Sequence, residues 1–372
     1  MQFQLPSFLR ARKSPPPTLQ APFPLNRVTC DFPLWRFEIM PHGQIFHCCP
    51  TWLPHSVAFV TEVSILDAFR GPVSSDIRRE TQEGNFKYCE AQLCPYLSRY
   101  VNLGEIKAPI RPRSDVDQMN QEFHPEKSKR LLLMLNYDES CNLRCPSCRN
   151  ETKMFTHETA PPKLRAIHEA VQRNIRELQE AGFRLTLNVT GSGDAFASPL
   201  YSRLLKDLPY DQELKLELQT NGVLMDESRF TEAMFGMIRF VAVSVDAASR
   251  PVYDLVRRGG SFERLKKNLD WMNASIMEGR FRHPVFYKIN FIVQQENFRE
   301  IPAFADWILG YASVSEIWFN LIADWGHLPK EEFDRKAIWR ADHPEHQEFL
   351  SVVRNPVLRN ARINLGNLTT YL

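Results

Sequence analysis

The amino-acid sequence predicts an α/β fold: a partial (βα)6 barrel, TIM-like but open on one side, preceded by a small cysteine-rich N-terminal domain. Three observations predict it. From about residue 130, six strand-like segments alternate with amphipathic helix-like ones, a pattern that implies a parallel sheet with crossover helices. Most of those strands alternate apolar and polar residues, so their two faces meet different surroundings. The eight cysteines fall in two groups, five before residue 95 and three between 141 and 148.

The elements follow in chain order. Residues 1–25 are rich in proline and charge and have no apolar stretch suited to a signal peptide, so they read as a flexible arm. Residues 26–105 form the small domain, with EIMPHGQIFHCC as a hairpin and SSDIRRETQEGNFKYC as a short helix running into a turn. Residues 106–129 read as a polar linker. The barrel spans 130–325, with strands at RLLLMLNY (130–137), RLTLNVTG (184–191), LKLELQTNG (214–222), RFVAVSVD (239–246), VFYKINFIV (285–293) and EIWFNLI (316–322). Between them, PPKLRAIHEAVQRNIRELQEAG opens on proline and stops at glycine, and SFERLKKNLDWMNASIMEG runs from Ser261 to Gly279, as helices do. Six such units are fewer than the eight of a closed barrel. Residues 326–372 form a C-terminal extension.

The strand faces point to a ligand. In LTLNVT, Leu185, Leu187 and Val189 share one face while Thr186, Asn188 and Thr190 share the other. The polar face continues with Lys215, Glu217 and Gln219, then Ser244 and Asp246, then Lys288 and Asn290, and finally Asn320. A parallel sheet covered on both faces reads as nearly continuous apolar residues, and a closed barrel is filled with branched apolar side chains. A polar face on successive strands therefore lines a solvated cavity that holds something. Lys288 and Asn290 are the expected substrate contacts, and Trp325 and His327 follow the last strand where substrate could touch them.

Composition narrows the function. The 46 basic and 44 acidic residues leave a net charge of +2, which gives no electrostatic ground for a nucleic-acid or anionic-membrane partner. No apolar run approaches the roughly 20 residues of a membrane span. The expected location is the cytoplasm, where thiols stay reduced and cysteine clusters hold metal or do redox chemistry.

The second cysteine group, CNLRCPSCR, places Cys141, Cys145 and Cys148 just after the first barrel strand, at the end where α/β enzymes keep their chemistry. Soft thiolates point to iron–sulfur or zinc. Structural zinc favours four ligands in paired motifs, and no second pair lies nearby. Three thiolates on a four-iron cluster instead leave one iron open to a non-protein ligand.

CxxxCxxC after the first of six βα units resembles the radical S-adenosylmethionine (SAM) superfamily, over roughly residues 130–325. The resemblance implies that the three cysteines hold a [4Fe–4S] cluster whose fourth iron is chelated by SAM. It also implies that Gly191, Ser192, Gly193 and Asp194 of TGSGDAF meet the SAM amino group, with Thr220, Asn221 and Gly222 at the next strand end. Ser244 and Asp246 of SVDAAS would meet ribose or carboxylate, and Lys267 the carboxylate. Ser147 stands where the family usually has an aromatic residue, so adenine packing falls to another side chain. GSGDAF lacks the third glycine of a dinucleotide fingerprint and follows the second strand, which sets that reading aside.

GQIFHC and GNFKYCEAQLCP resemble pieces of SPASM and Twitch modules, which bind auxiliary iron–sulfur clusters in radical SAM enzymes. That resemblance implies one auxiliary [4Fe–4S] cluster on Cys30, Cys48, Cys89 and Cys94, with Cys48 preferred to Cys49 because it stands five residues after Gly43. Structural zinc is the alternative there. As partners, the resemblance implies a flavodoxin- or ferredoxin-type electron donor and a substrate that is a ribosomally made peptide, or else a sugar or other small metabolite. Two rivals stand beside it: a non-catalytic zinc-binding interaction protein, and an RNA-modifying enzyme, which the near-neutral charge disfavours.

Overall fold

The structure is a computed structural model that describes residues 23–149, 151–324 and 328–372. Trp325 and His327 lie outside the described residues, as does most of the expected N-terminal arm. The chain divides into two compact units, one of residues 1–138 and 160–188, the other of residues 139–159 and 189–372.

The first unit contains strands β1 (Val28–Cys30), β2 (Arg36–Ile39), β3 (Gln44–Phe46), β4 (Ala58–Phe59), β5 (Ile110–Pro112), β6 (Arg130–Leu135) and β7 (Arg184–Val189). Its helices are α1 (Phe32–Trp35), α2 (Ile65–Arg70), α3 (Pro72–Gln82), α4 (Pro95–Leu103), α5 (Val116–Phe123), α6 (Pro125–Ser128) and α7 (Pro162–Glu180). The expected hairpin forms: β2 and β3 pair antiparallel around Gly43, whose φ of +82° lies in the left-handed region that favours glycine. β2 also runs parallel to β6, with Arg36 opposite Leu132 and Ile39 opposite Leu135. The strand order is therefore β7-β6-β2-β3-β4. Helix α7 has proline in its first turn and buries Ile167, Val171, Ile175 and Leu178, a spacing that makes one apolar stripe.

The segment 106–129, expected as a linker, is built into this unit. β5 pairs antiparallel with β1, with Cys30 opposite Ile110, and α5 buries Met119. Linker-like composition concealed apolar anchors such as Ile110 and Met119, because a three-residue strand needs only one or two buried side chains to pair.

The N-terminus of α2 shows how the unit is tied together. Ile65 N–H, an orphan donor of the first helical turn, gives its hydrogen to the Asn174 side chain of α7 at 2.8 Å, and Asn174 donates onward to the Ala170 carbonyl. Both side chains are buried. Asn174→Ala leaves that amide unsatisfied and is expected to cost about 1–3 kcal/mol. Urea unfolding measures it, and an unchanged midpoint would mean that water replaces the bond.

The second unit contains β8 (Leu214–Thr220), β9 (Ile238–Ser244), β10 (Phe286–Val293), β11 (Val314–Leu321) and β12 (Ile363–Asn364), paired in that order and parallel throughout. Helices α8 (Pro199–Asp207), α9 (Glu232–Met237), α10 (Arg250–Val256), α11 (Phe262–Met277), α12 (Ile301–Leu309), α13 (Lys330–Lys336) and α14 (His346–Val353) complete it. Strand β10 shows the two faces plainly. Tyr287, Ile289, Phe291 and Val293 are buried, and Phe291 packs on Phe304 of α12 at 4.6 Å and on Phe319 of β11 at 5.4 Å. Lys288, Asn290 and Ile292 form the other, half-buried face.

All six strands expected in the barrel region form, in an α/β fold with mostly parallel pairing. The C-terminal extension adds β12 alongside β11, with Ile363 opposite Ile317. Among the described residues no helix is long and apolar enough to cross a membrane.

Candidate functional site

In the second unit the cysteine loop is pinned from both sides. Cys141 N–H donates to the Lys153 carbonyl and Arg144 N–H to the Arg258 carbonyl, both at 2.9 Å. Cys148 and Arg149 turn back on the Cys145 carbonyl. Arg149 spans the gap to the neighbouring turn, donating to the carbonyls of Glu139 and Ser192 at 2.6 Å each. Cys141 and Cys145 are buried and Cys148 is exposed.

Each of the three sulfurs faces an N–H donor. Cys141 Sγ faces Leu143 N at 3.4 Å and Asn221 Nδ2 at 3.7 Å, Cys145 Sγ faces Arg257 Nη1 at 3.7 Å, and Cys148 Sγ faces Arg149 Nη2 at 3.6 Å. Burial pushes the Cys141 thiol up to about 11 and also raises that of Cys145, where Arg257 pulls the other way. Donors aimed at sulfur suit thiolates that carry negative charge to a metal.

Beside this loop lies a cavity of about 190 Å³ lined by Cys145, Ser147 and Cys148 on one side and by Asp246 and Arg257 on another. Ile292, Asn320 and Ile322 close it. Arg257 and Asp246 form a buried ion pair at 2.7 Å. Burial raises the Asp246 carboxyl against the pull of Arg257, while Asp246 and Cys145 together raise the guanidinium despite its own burial. Asp246 also accepts from Ile292 N–H at 2.7 Å and sits at φ +63°. Among the described residues Arg257 Nε has no hydrogen-bond partner. A largely buried guanidinium that lines a cavity is suited to a ligand carboxylate.

Asp194 has a different role from a simple ligand contact. Its Oδ1 accepts from Phe196 N and Ala197 N at 3.0 Å each, and its Oδ2 from Thr220 Oγ1 at 2.8 Å and Asn221 N at 2.7 Å. Burial raises its carboxyl, and these four bonds oppose the rise. The side chain thus latches the GSGD turn to the TNG turn. Asn221 passes the order on, donating to Asn142 Oδ1 at 2.9 Å. Thr190, just before the GSGD turn, holds φ +75°, a strained conformation for a β-branched residue. Gly222, at φ +78°, fits only without a side chain, because a Cβ would meet Leu265 Cδ1 at 2.6 Å.

The remaining expected residues divide. Ser244 and Asn290 are register partners on the half-buried face, and among the described residues the Asn290 amide oxygen is buried without a partner. Lys288 is already engaged, 3.2 Å from Glu316 and 4.0 Å above the Trp318 ring. Lys267 lies on the exposed side of α11 and does not line the cavity, whereas Arg257 does. Ile292 and Ile322 line the same cavity as Ser147, where sequence reading left adenine packing unassigned. Arg257 and Arg149 were missed by sequence reading. The only signal for Arg257 was a basic pair directly before Gly259 and Gly260, at a turn that needs φ +89° at Gly259.

In the first unit, Cys30, Cys48, Cys89 and Cys94 gather. Burial raises all four thiols, that of Cys48 to about 12; Cys48 and Cys89 act electrostatically on Cys30, and Cys48 and Cys94 on Cys89. Glu38 and Arg36 act on both Cys48 and Cys49, and of these two thiols it is Cys48 that acts on Cys30 and Cys89. Trp52 Nε1 donates to Cys48 Sγ at 3.0 Å and Leu97 N to Cys94 Sγ at 3.5 Å. Among the described residues no three His, Cys, Asp or Glu side chains converge as ligands of a single metal ion. A cubane, whose thiolates bind separate iron atoms, does not require that convergence.

A donor-ringed thiol loop beside a cavity at the strand ends of an α/β unit is suited to holding a cofactor. Residues 136–308 match the family model of the Radical SAM superfamily, and the chain carries a domain of that superfamily there. No curated protein matches the chain. Among solved structures it is similar to two of the radical S-adenosylmethionine methyltransferase TsrM from Kitasatospora setae, one with tryptophan and a SAM analogue, the other with cobalamin and a [4Fe–4S] cluster. Identities are 15% and 16% and TM-scores 0.33 and 0.34. The matches cover 51% and 53% of this chain but only 35% of each of those chains.

Proposed function

We propose that the chain is a radical SAM enzyme with an auxiliary cluster in its N-terminal unit, acting on a ribosomally made peptide. The observation that carries the first part is the ring of N–H donors around the Cys141, Cys145 and Cys148 sulfurs, beside a cavity walled by Arg257 and Asp246. When bound, the cluster supplies the electron that cleaves SAM to methionine and a 5′-deoxyadenosyl radical, which takes a hydrogen atom from the substrate.

The chain's own residues bind and orient. Cys141, Cys145 and Cys148 hold three irons. Arg257 receives the SAM carboxylate on its guanidinium, which Asp246 fixes in place. The backbone of Gly191, Ser192 and Gly193, held in place by Asp194, meets the ammonium group. Ile292 and Ile322 pack against the adenine in place of the aromatic residue absent at Ser147. Asn290 and Ser244 contact the substrate.

In the N-terminal unit the gathered thiols of Cys30, Cys48, Cys89 and Cys94 support a Twitch-like [4Fe–4S] site, and the electrostatic action of Cys48 on Cys30 and Cys89 favours it over Cys49 as ligand. A flavodoxin- or ferredoxin-type protein is the electron donor. The peptide substrate rests on the resemblance to SPASM and Twitch modules, which accompany peptide maturases; a small metabolite is the alternative.

The test is iron, sulfide and zinc per chain after anaerobic reconstitution, for wild type and a Cys141/Cys145/Cys148→Ala variant. About eight irons falling to about four supports two clusters. About four falling to none, with one zinc retained, keeps the enzyme and makes the N-terminal site structural. Zinc without iron overturns the radical reading and leaves a metal-binding interaction protein.

A further inference from the structure

A buried charge lies near Cys48, one of the four thiols of the first unit. β2 and β3 pair with Glu38 opposite Phe46 and Ile39 opposite Ile45. His47 Nδ1 lies 3.3 Å from the Arg36 carbonyl, so Arg36 stands beside the segment that leads from β3 to Cys48.

The Arg36 side chain is only 11% exposed. Its guanidinium pairs with Glu38 and lies 4.5 Å over the Phe32 ring, which itself packs against Cys48, Leu53 and Ile77. Glu38 is held from its far side by Asn136 at 3.3 Å. Among the described residues Arg36 Nε is buried without a hydrogen-bond partner. An ion pair this deep is expensive to desolvate and contributes little net stability by itself. An unused N–H on its cationic end, next to a sulfur cluster of the fold, is therefore better explained by something it serves.

We propose that Arg36 is a positioning residue that sets the reduction potential of the N-terminal site, its guanidinium favouring the reduced state of an iron–sulfur cluster held by Cys30, Cys48, Cys89 and Cys94. The inference rests on the auxiliary-cluster reading above. Taking up one electron makes such a cluster more negative, and a cation fixed in a low-dielectric interior stabilises the more negative state. An N–H donated to cluster sulfur acts in the same direction. Glu38 opposes both effects. The guanidinium lies over the Phe32 ring that packs against Cys48, while Glu38 is held by Asn136, so the cationic end of the pair is the one beside the thiols.

The experiment is a redox titration followed by electron paramagnetic resonance. It uses the reconstituted full chain carrying Cys141/Cys145/Cys148→Ala, so that only the N-terminal cluster reports. Two further variants are compared in that background. Glu38→Gln removes the opposing charge, and Glu38→Gln with Arg36→Met removes both without stranding a buried carboxylate. With about four irons per chain in each, Glu38→Gln is expected to raise the reduced-to-oxidised ratio at a fixed potential. Adding Arg36→Met is expected to lower that ratio on the order of tenfold, or about 59 mV for one electron. Full iron content with one common potential overturns the role of Arg36 and leaves the cluster reading standing. A background protein without iron overturns the cluster reading itself, and the inference with it.

Discussion

Arg257→Met is expected to weaken SAM binding at least a hundredfold and to lower the stability of the folded chain by about 3–5 kcal/mol. The two losses have separate origins. Stability falls because Asp246 is left charged and buried, its Oδ2 facing a methionine where Nη2 stood at 2.7 Å. Binding falls because the cavity loses the only cation among its described lining residues. Pairing Arg257→Met with Asp246→Asn separates the effects: most of the stability returns, because no buried carboxylate is stranded, while SAM affinity stays low. Equilibrium binding of SAM and thermal unfolding read the two independently. A double variant with wild-type affinity would remove Arg257 from the ligand site.

Asp194→Ala is expected to destabilise the chain by about 4 kcal/mol, since four donors lose one charged acceptor and hydrogen bonds to charged groups are worth about 1.5–3 kcal/mol each, less than additively. For a unit of this size that lowers Tm on the order of 10 °C. Asp194→Asn is expected to lose roughly half as much. It keeps one oxygen for Phe196 N and Ala197 N, but sets an NH2 group against Asn221 N–H and the Thr220 hydroxyl. A Tm for Asp194→Ala equal to wild type would show that the turns hold without this latch.

Much of the fold was legible because strands and helices bury periodic faces. The alternation in FYKINFIV marks a strand with one covered side, and the structure buries Tyr287, Ile289, Phe291 and Val293. The helix stop at Gly279 was legible because φ +73° there excludes most other residues. The pairing of β1 with β5 was hidden, because its partners are 80 residues apart at Cys30 and Ile110 and each strand is too short to show a period. The site was legible in its cysteines, whose spacing is chemical rather than structural. Its charges were less so. Lys267 and Arg257 look alike on paper, and only the packing of α10 and α11 decides that Arg257 is buried and Lys267 exposed. The engagement of Lys288 with Glu316 likewise depends on a register between two strands that sequence alone does not fix.

The parallel pairing of β2 with β6 has a consequence for how this chain is made and inherited. A polypeptide begun at residue 130 would lack the strand that covers Leu132 to Leu135, leaving an apolar ribbon with unpaired amides, the usual seed of aggregation. The N-terminal region therefore cannot behave as an accessory cassette, gained or shed between relatives by a simple cut. During synthesis β2 must wait for about 95 further residues before its neighbour exists, a long loop whose closure slows folding. A ligand that tied Cys30 to Cys94 early would shorten the loop left to close and so couple ligand binding to assembly.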